Sequence, residues 1–302
     1  MRNQFCDAMV ARSSSNRLVF LTGDLGFMAL EPLQAALGEY FINAGVAEQN
    51  MMSVAAAMAR QGIEAWAYSI APFCYARPFE QIRNDISFHG LPVKLVGNGG
   101  GYGYGVQGPT HHAIEDYGVL LTLSGMTAYV PVFDEDLEAV IPLMGRESGP
   151  SYLRLGRGES PKGFAVPEYA QWRQLTHGGG KTVIAVGPLA GSYIGALQSL
   201  PDAVRPNLWA IAELPLGKNP IPETLMTQIT SGKELCVAEE HVARGGFGAE
   251  LALHLVERGV GVGSFIHLCA RKHLYDAYGS QGFLRRQSGI ATENILAWVT
   301  AS

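Results

Sequence analysis

The sequence is short of charge, of cysteine pairs and of long apolar runs, and each shortage narrows what the protein does. Asp, Glu, Lys and Arg make up 16 % of its 302 residues, against about a quarter in an average globular chain. The net charge is −5 and no basic patch with interleaved aromatics occurs, which argues against a nucleic-acid partner. The four cysteines, Cys6, Cys74, Cys236 and Cys269, form no Cys-x-x-Cys pair and show no metal-ligand spacing. They read as buried, reduced thiols of a cytosolic protein. No apolar run approaches the roughly 18 residues that mark a membrane-spanning helix, and the first residues lack the apolar core of a secretion signal. A soluble, cytoplasmic protein with no membrane partner is expected. There are no repeats, and the one low-complexity segment is a glycine-rich loop at 97–108.

What is present is an ordinary apolar fraction, 47 %, together with 37 glycines. Low charge and many glycines point to extensive buried surface, subunit interfaces included. Apolar runs at 18–22, 63–68, 93–97, 127–131 and 152–155 alternate with helical stretches at 1–16, 46–60, 78–88, 112–123 and 135–144. Nearly continuous apolar strands separated by helices indicate a parallel sheet covered on both faces. The pattern breaks after Gly158, and a second unit begins at Lys181-Thr-Val-Ile-Ala-Val186. Later strands are expected at 208–213, 234–239 and 264–268. The fold class is therefore α/β, with two doubly wound, mainly parallel-sheet domains over 1–163 and 179–302 and a linker over 164–178.

The most informative stretch is Asn43-Ala-Gly-Val-Ala-Glu-Gln-Asn-Met-Met-Ser-Val-Ala-Ala-Ala-Met-Ala-Arg60. Its alanines and methionines favour helix, and Gly62 ends it. Apolar residues lie all round the cylinder, so a buried helix is expected. Glu48 in its first turn is either an acid favoured by the helix dipole or a carboxyl held in a poorly solvated cleft, able to share a proton with a ligand.

Gly45-Val-Ala-Glu-Gln49 on a helix of small residues resembles the cofactor-activating motif of the transketolase family of thiamine diphosphate enzymes. The resemblance implies that Glu48 hydrogen-bonds a ring nitrogen of the cofactor's aminopyrimidine, the relay that makes the ring a base. It also gives meaning to Tyr68-Ser-Ile-Ala-Pro-Phe-Cys-Tyr-Ala-Arg77. Any one aromatic there could be core packing. By the resemblance, Phe73 stacks on the cofactor ring, Ile70 takes a position often aromatic in the family, and Arg77 matches an arginine near the aminopyrimidine, offset by one residue. Asp24, after the first strand, is by itself a turn former or helix cap. The resemblance places it near the thiazolium.

Gly103-Tyr-Gly-Val-Gln-Gly108 fits a dinucleotide-binding pattern, but Pro109 follows and the loop lies mid-domain, which disfavours that reading. The better match is Gly108-Pro-Thr-His111, which resembles a transketolase and deoxyxylulose-phosphate synthase signature and implies a substrate-binding or catalytic role for His111. Adjacent His111 and His112 lack a third ligand for a metal. Gln107 stands where the family usually has an Asp that reads a sugar hydroxyl, and an amide differs from a carboxylate in charge and in donor capacity. Arg157, in Gly149-Pro-Ser-Tyr-Leu-Arg-Leu-Gly-Arg-Gly158, matches a phosphate-binding arginine, while Met28 replaces the family's phosphate serine. In the second half, Glu239-Glu-His-Val-Ala-Arg-Gly-Gly-Phe-Gly248 resembles the turn of the family's C-terminal domain and reads as a structural strand-to-helix connection at a subunit contact.

The family's Gly-Asp-Gly motif for magnesium and pyrophosphate is missing; Gly23-Asp24-Leu25 is the nearest approach. The resemblance thus covers the pyrimidine and C-terminal domains only. It implies the β subunit of a split transketolase, with thiamine diphosphate at the interface and magnesium ligands on an α partner, in an α₂β₂ assembly. The expected reaction moves a two-carbon ketol unit from a ketose or 2-oxo acid donor to an aldehyde. The β subunit of a 2-oxo acid dehydrogenase, a deoxyxylulose-phosphate synthase and a non-catalytic scaffold are the alternatives.

Overall fold

In the computed structural model, all residues except Asn16, Phe27, Lys233, Leu274 and Ser302 are described. The first half supplies β1 (Leu18–Thr22), β2 (Phe41–Asn43), β3 (Glu64–Ile70), β4 (Lys94–Asn98), β5 (Thr127–Tyr129) and β6 (Ser151–Leu155). The second supplies β7 (Trp172–Gln174), β8 (Thr182–Val186), β9 (Asn207–Ile211), β10 (Glu213–Leu214), β11 (Glu234–Val242) and β12 (Ser264–Ala270). They form a seven-stranded sheet in the order β10-β5-β6-β4-β3-β1-β2 and a five-stranded sheet in the order β12-β11-β8-β9-β7. All pairings are parallel except β10 with β5 and β7 with β9, so the α/β, mainly parallel architecture holds.

Alternate residues of each central strand serve opposite cores, as a period of two requires. Val19, Leu21, Ala65 and Ala67 face the helices Glu48–Arg60 and Ala71–Tyr75, whereas Phe20, Trp66 and Tyr68 face Arg2–Ser13 and Leu137–Arg146. The second sheet is likewise covered on both sides, by Pro188–Gln198 and Thr292–Thr300 on one face and Phe247–Glu257 on the other. One continuous apolar cluster runs from the Glu48 helix through to Phe247 and Leu251, joining the two halves.

Several expectations need correction. The helix Glu48–Arg60 buries one face, Met51, Met52, Ala55, Ala56 and Ala59, while Gln49, Asn50, Ala57 and Arg60 are exposed. Alanine and methionine tolerate solvent, so apolar residues all round did not require burial all round. Pro78–Phe88 is helical but loosens into a π-turn at Ile82–Ser87. The helix expected from His112 spans only Asp116–Leu120, because the segment before it is a 3₁₀ turn, Pro109–His111, and an extended His112. The linker stretch 164–178 is not featureless: it contributes β7, the antiparallel edge of the second sheet. Three cysteines are buried, Cys269 is half-buried, and all four are free. Burial pushes the thiols of Cys74 and Cys236 up to about 12, which leaves them protonated and inert.

The Glu239-Glu-His…Gly-Gly-Phe-Gly248 segment is where the second sheet grips the first. Glu239 accepts from the backbone of Phe247 and Gly248 at 2.9 Å each, from His267 Nε2 at 2.6 Å and from the Tyr117 hydroxyl. Glu240 accepts from Tyr102 N and Arg285 Nε, both at 2.6 Å. His241 stacks on Tyr117 at 4.0 Å, donates from Nδ1 to Val242 O and accepts from Gly118 N. The glycines are needed for closeness: a Cβ at Gly246 would lie 2.5 Å from Glu239 Oε1, and one at Gly248 2.4 Å from His267 Nε2. The contact is thus within the chain, and the lone pairs a metal would need are already engaged.

Burial works against the charge on Glu239, yet His267, His241 and Tyr117 hold its carboxyl below the usual range. A folded value below the unfolded one makes its stabilisation complete above the ordinary carboxylate range of about 4, and lost as pH falls through the folded value. Acid unfolding followed by circular dichroism is expected to be shallower in Glu239→Gln than in the unsubstituted chain. Parallel acid profiles would remove Glu239 from that role.

Candidate functional site

The residues singled out by sequence gather at one edge of the first sheet. Asp24 follows β1, Glu48 follows β2, Ile70 ends β3 with Phe73 and Arg77 after it, Gln107 and His111 follow β4, and Arg157 follows β6. These are the carboxyl ends of parallel strands, where the backbone leaves a crevice and ligands bind in open α/β sheets. The order β6-β4-β3-β1-β2 places the chain's change of direction between β1 and β3, which pair from Leu18↔Glu64 to Thr22↔Tyr68.

Glu48 is the first residue of its helix and is 5 % exposed: a helix-terminal acid that is also buried. Its carboxylate faces a cation, Arg77, whose Nη1 lies 3.0 and 3.1 Å from the two oxygens. The Arg77 side chain is 44 % exposed, and its Cζ stands 3.9 Å above the Phe73 ring centroid. Phe73 is half-buried, and its ring meets His111 edge-on at 5.2 Å and 67°. Glu48, Arg77, Phe73 and His111 therefore form one connected group. His111 is further held by Thr110, Oγ1 to Nδ1 at 3.0 Å.

Asp24 is exposed and accepts from Asn43 Nδ2 at 3.0 Å, while Asn43 Oδ1 accepts from Gly45 N at 2.9 Å. Asp24 thus steadies the turn that delivers Glu48. Gly45, at φ 71°, adopts a left-handed conformation that few other residues tolerate. Ile70 ends β3 half-buried and precedes the Phe73 helix. Gln107 and Arg157 are exposed, and Met28 is exposed at φ 59°. Among the described residues no cluster of three His, Cys, Asp or Glu is arranged to hold a metal, and no helix is long and apolar enough to cross a membrane.

Sequence reasoning missed Asn43, Tyr75, Glu115 and His273. Asn43 opens the Glu48 stretch but looks like a strand end. Glu115 follows the Gly-Pro-Thr-His signature, yet its partner His273 lies 158 residues further along the chain and carries no local pattern.

Residues 11–162, half of the chain, match the family Transketolase, pyrimidine binding domain. One subunit of an apulose-4-phosphate transketolase from Phocaeicola vulgatus is 26 % identical over 269 residues, 86 % of this chain and 85 % of that one. A split-gene transketolase solved as an inactive β4 tetramer superimposes with a TM-score of 0.83 at 27 % identity, covering 99 % of this chain and 96 % of the other. The transketolase of Leishmania mexicana shares the fold, with a TM-score of 0.79 at 16 % identity, and this chain spans 44 % of it. In extent and architecture the chain resembles the β chains of split transketolases, and it belongs to the transketolase family.

Proposed function

We propose that the chain is the β subunit of a thiamine diphosphate-dependent enzyme that transfers a two-carbon ketol unit from a ketose or 2-oxo acid donor to an aldehyde acceptor. The observation that carries this reading is the single group bridging Glu48 and Phe73. Arg77, a planar cation bearing N–H donors, lies on the Phe73 face and bonds the Glu48 carboxylate. A flat, nitrogen-bearing ring that took the place of Arg77 would meet the same two groups, and the residues fit an aminopyrimidine. Because Arg77 is partly exposed, it can swing to solvent as such a ring enters.

When bound, thiamine diphosphate supplies the carbon nucleophile that holds the two-carbon unit. The chain's own residues do the rest. Glu48 holds a proton at the ring nitrogen, and its burial keeps water from competing for that proton. Phe73 fixes the plane of the ring through its π-face. His111, next to Phe73, is assigned the proton transfer at a donor oxygen, and Gln107 offers both a donor and an acceptor to a hydroxyl. Arg157 offers a guanidinium to an anionic group of the substrate. Pyrophosphate and magnesium are assigned to an α subunit, which gives an α₂β₂ complex with the cofactor at its interface. Intracellular, cytoplasmic carbohydrate metabolism suits this chemistry.

Calorimetric titration of thiamine diphosphate with magnesium tests the assignment. The chain alone is expected to give no binding heat, and the chain with its copurified partner is expected to bind. Magnesium-dependent binding by the chain alone would overturn the split-site reading, and no binding by the complex would overturn the cofactor.

A further inference from the structure

The glycine-rich loop that carries Gln107 and His111 is cradled by residues from the far end of the chain. A Cβ at Gly105 would lie 2.6 Å from Gly279 O, and one at Gly108 would lie 2.8 Å from the Tyr278 ring. The buried Tyr102 donates its hydroxyl proton to Lys272 O at 2.8 Å. Where the loop ends, Glu115 accepts from His273 Nε2 at 2.5 Å and from the Tyr75 hydroxyl at 3.3 Å. Burial works against the charge on Glu115, but His273 holds its carboxyl below the usual range, so the carboxylate is the acceptor of this bond.

The His273 ring also lies nearly parallel to His112, with centroids 6.1 Å apart and planes 11° apart. His112 is 2 % exposed and meets Tyr102 edge-on at 5.2 Å. It directly follows His111. Tyr75, on the other side of Glu115, belongs to the same short helix as Phe73. The cluster therefore ties together the ring-facing helix, the His111 loop and the second half of the chain.

Stability does not account for this arrangement. The side chains of His273 and Glu115 are 37 % and 32 % exposed, and an ion pair so open to water contributes little. The two sheets are already joined by the buried bonds of Glu239 and Glu240. Position is what the pair adds.

We propose that His273 is a positioning residue: clamped to Glu115 and stacked on His112, it sets where His111 stands relative to the Phe73 ring. Its effect falls on the donor end of the site and leaves ring binding at Glu48 untouched. This role rests on the transketolase-type reading above.

Two measurements test it. In the complex with the α partner, hydroxypyruvate serves as donor and glycolaldehyde as acceptor. His273→Ala is expected to raise the donor KM about tenfold while the thiamine diphosphate Kd stays within about twofold. In His273→Gln the amide N–H reaches Glu115, and KM should return to within about threefold of the original. Equal effects of the two substitutions, or a parallel loss of cofactor affinity, would overturn the role. In the chain alone, imidazole NMR should show the His111 ring resonances displaced in His273→Ala and in Glu115→Gln, and restored in His273→Gln. Unmoved resonances in a folded chain would overturn the clamp whether or not the complex turns over this donor. Failure of the unsubstituted complex to bind cofactor would count against the transketolase reading and leave the clamp to the NMR result.

Discussion

Glu48→Gln is expected to lower turnover of the assembled enzyme by about 10²–10⁴-fold, the range spanned by positioned proton transfer. The amide keeps the size and one acceptor of the carboxylate but cannot hold a negative charge at the ring nitrogen. Loss should appear in kcat and in kcat/KM alike, because the interaction matters most as the ring becomes a base. The fold should survive. Arg77, the cation on Glu48, is 44 % exposed, so breaking the pair costs about 1 kcal/mol at most. Steady-state kinetics beside a thermal melt of the same preparation separates the two effects. Turnover within about threefold of the unsubstituted enzyme would remove Glu48 from the proton relay.

Arg154→Met is expected to destabilise the chain by about 3–5 kcal/mol, because it leaves an acid buried without its cation. Arg154 and Asp116 are 5 % and 0 % exposed, with Nε and Oδ2 2.9 Å apart. Among the described residues, Asp116 would retain the Tyr152 hydroxyl at 2.8 Å as its side-chain partner. The same guanidinium donates from Nη2 to Ala113 O at 2.9 Å and to Glu240 O at 2.8 Å, so its removal also takes one donor from each of two carbonyls on either side of the seam. Equilibrium denaturation of the chain checks this. Pairing the change with Asp116→Asn should recover part of the loss, since the uncompensated charge is then gone. A loss below about 1 kcal/mol for Arg154→Met would mean that water reaches Asp116.

Much of the architecture was legible because strands buried on both faces leave a plain mark. Phe20 and Trp66 face one core, Val19 and Ala65 the other, and a run with apolar residues at every position reads as a central parallel strand. The Glu48 helix was equally clear from its alanines, but its exposed face was not. Composition tells which residues tolerate burial and says little about whether anything covers them. The short helix at Asp116–Leu120 and the strand at Trp172–Gln174 were misjudged for a related reason. Both are decided by partners distant in sequence, Glu239 and His241 for the first and β9 for the second.

By itself, the sequence determined the α/β class, the strands that end at the site and the short motifs around Glu48, Phe73 and His111. These depend on local periodicity and on residue types at fixed spacing, which the chain carries wherever it folds. Only the tertiary structure decided that Arg77 stands between Glu48 and Phe73, that Asp24 acts through Asn43, and that His273 reaches Glu115. Those contacts join side chains that no local pattern relates; packing two sheets around one continuous core brings them within hydrogen-bond reach.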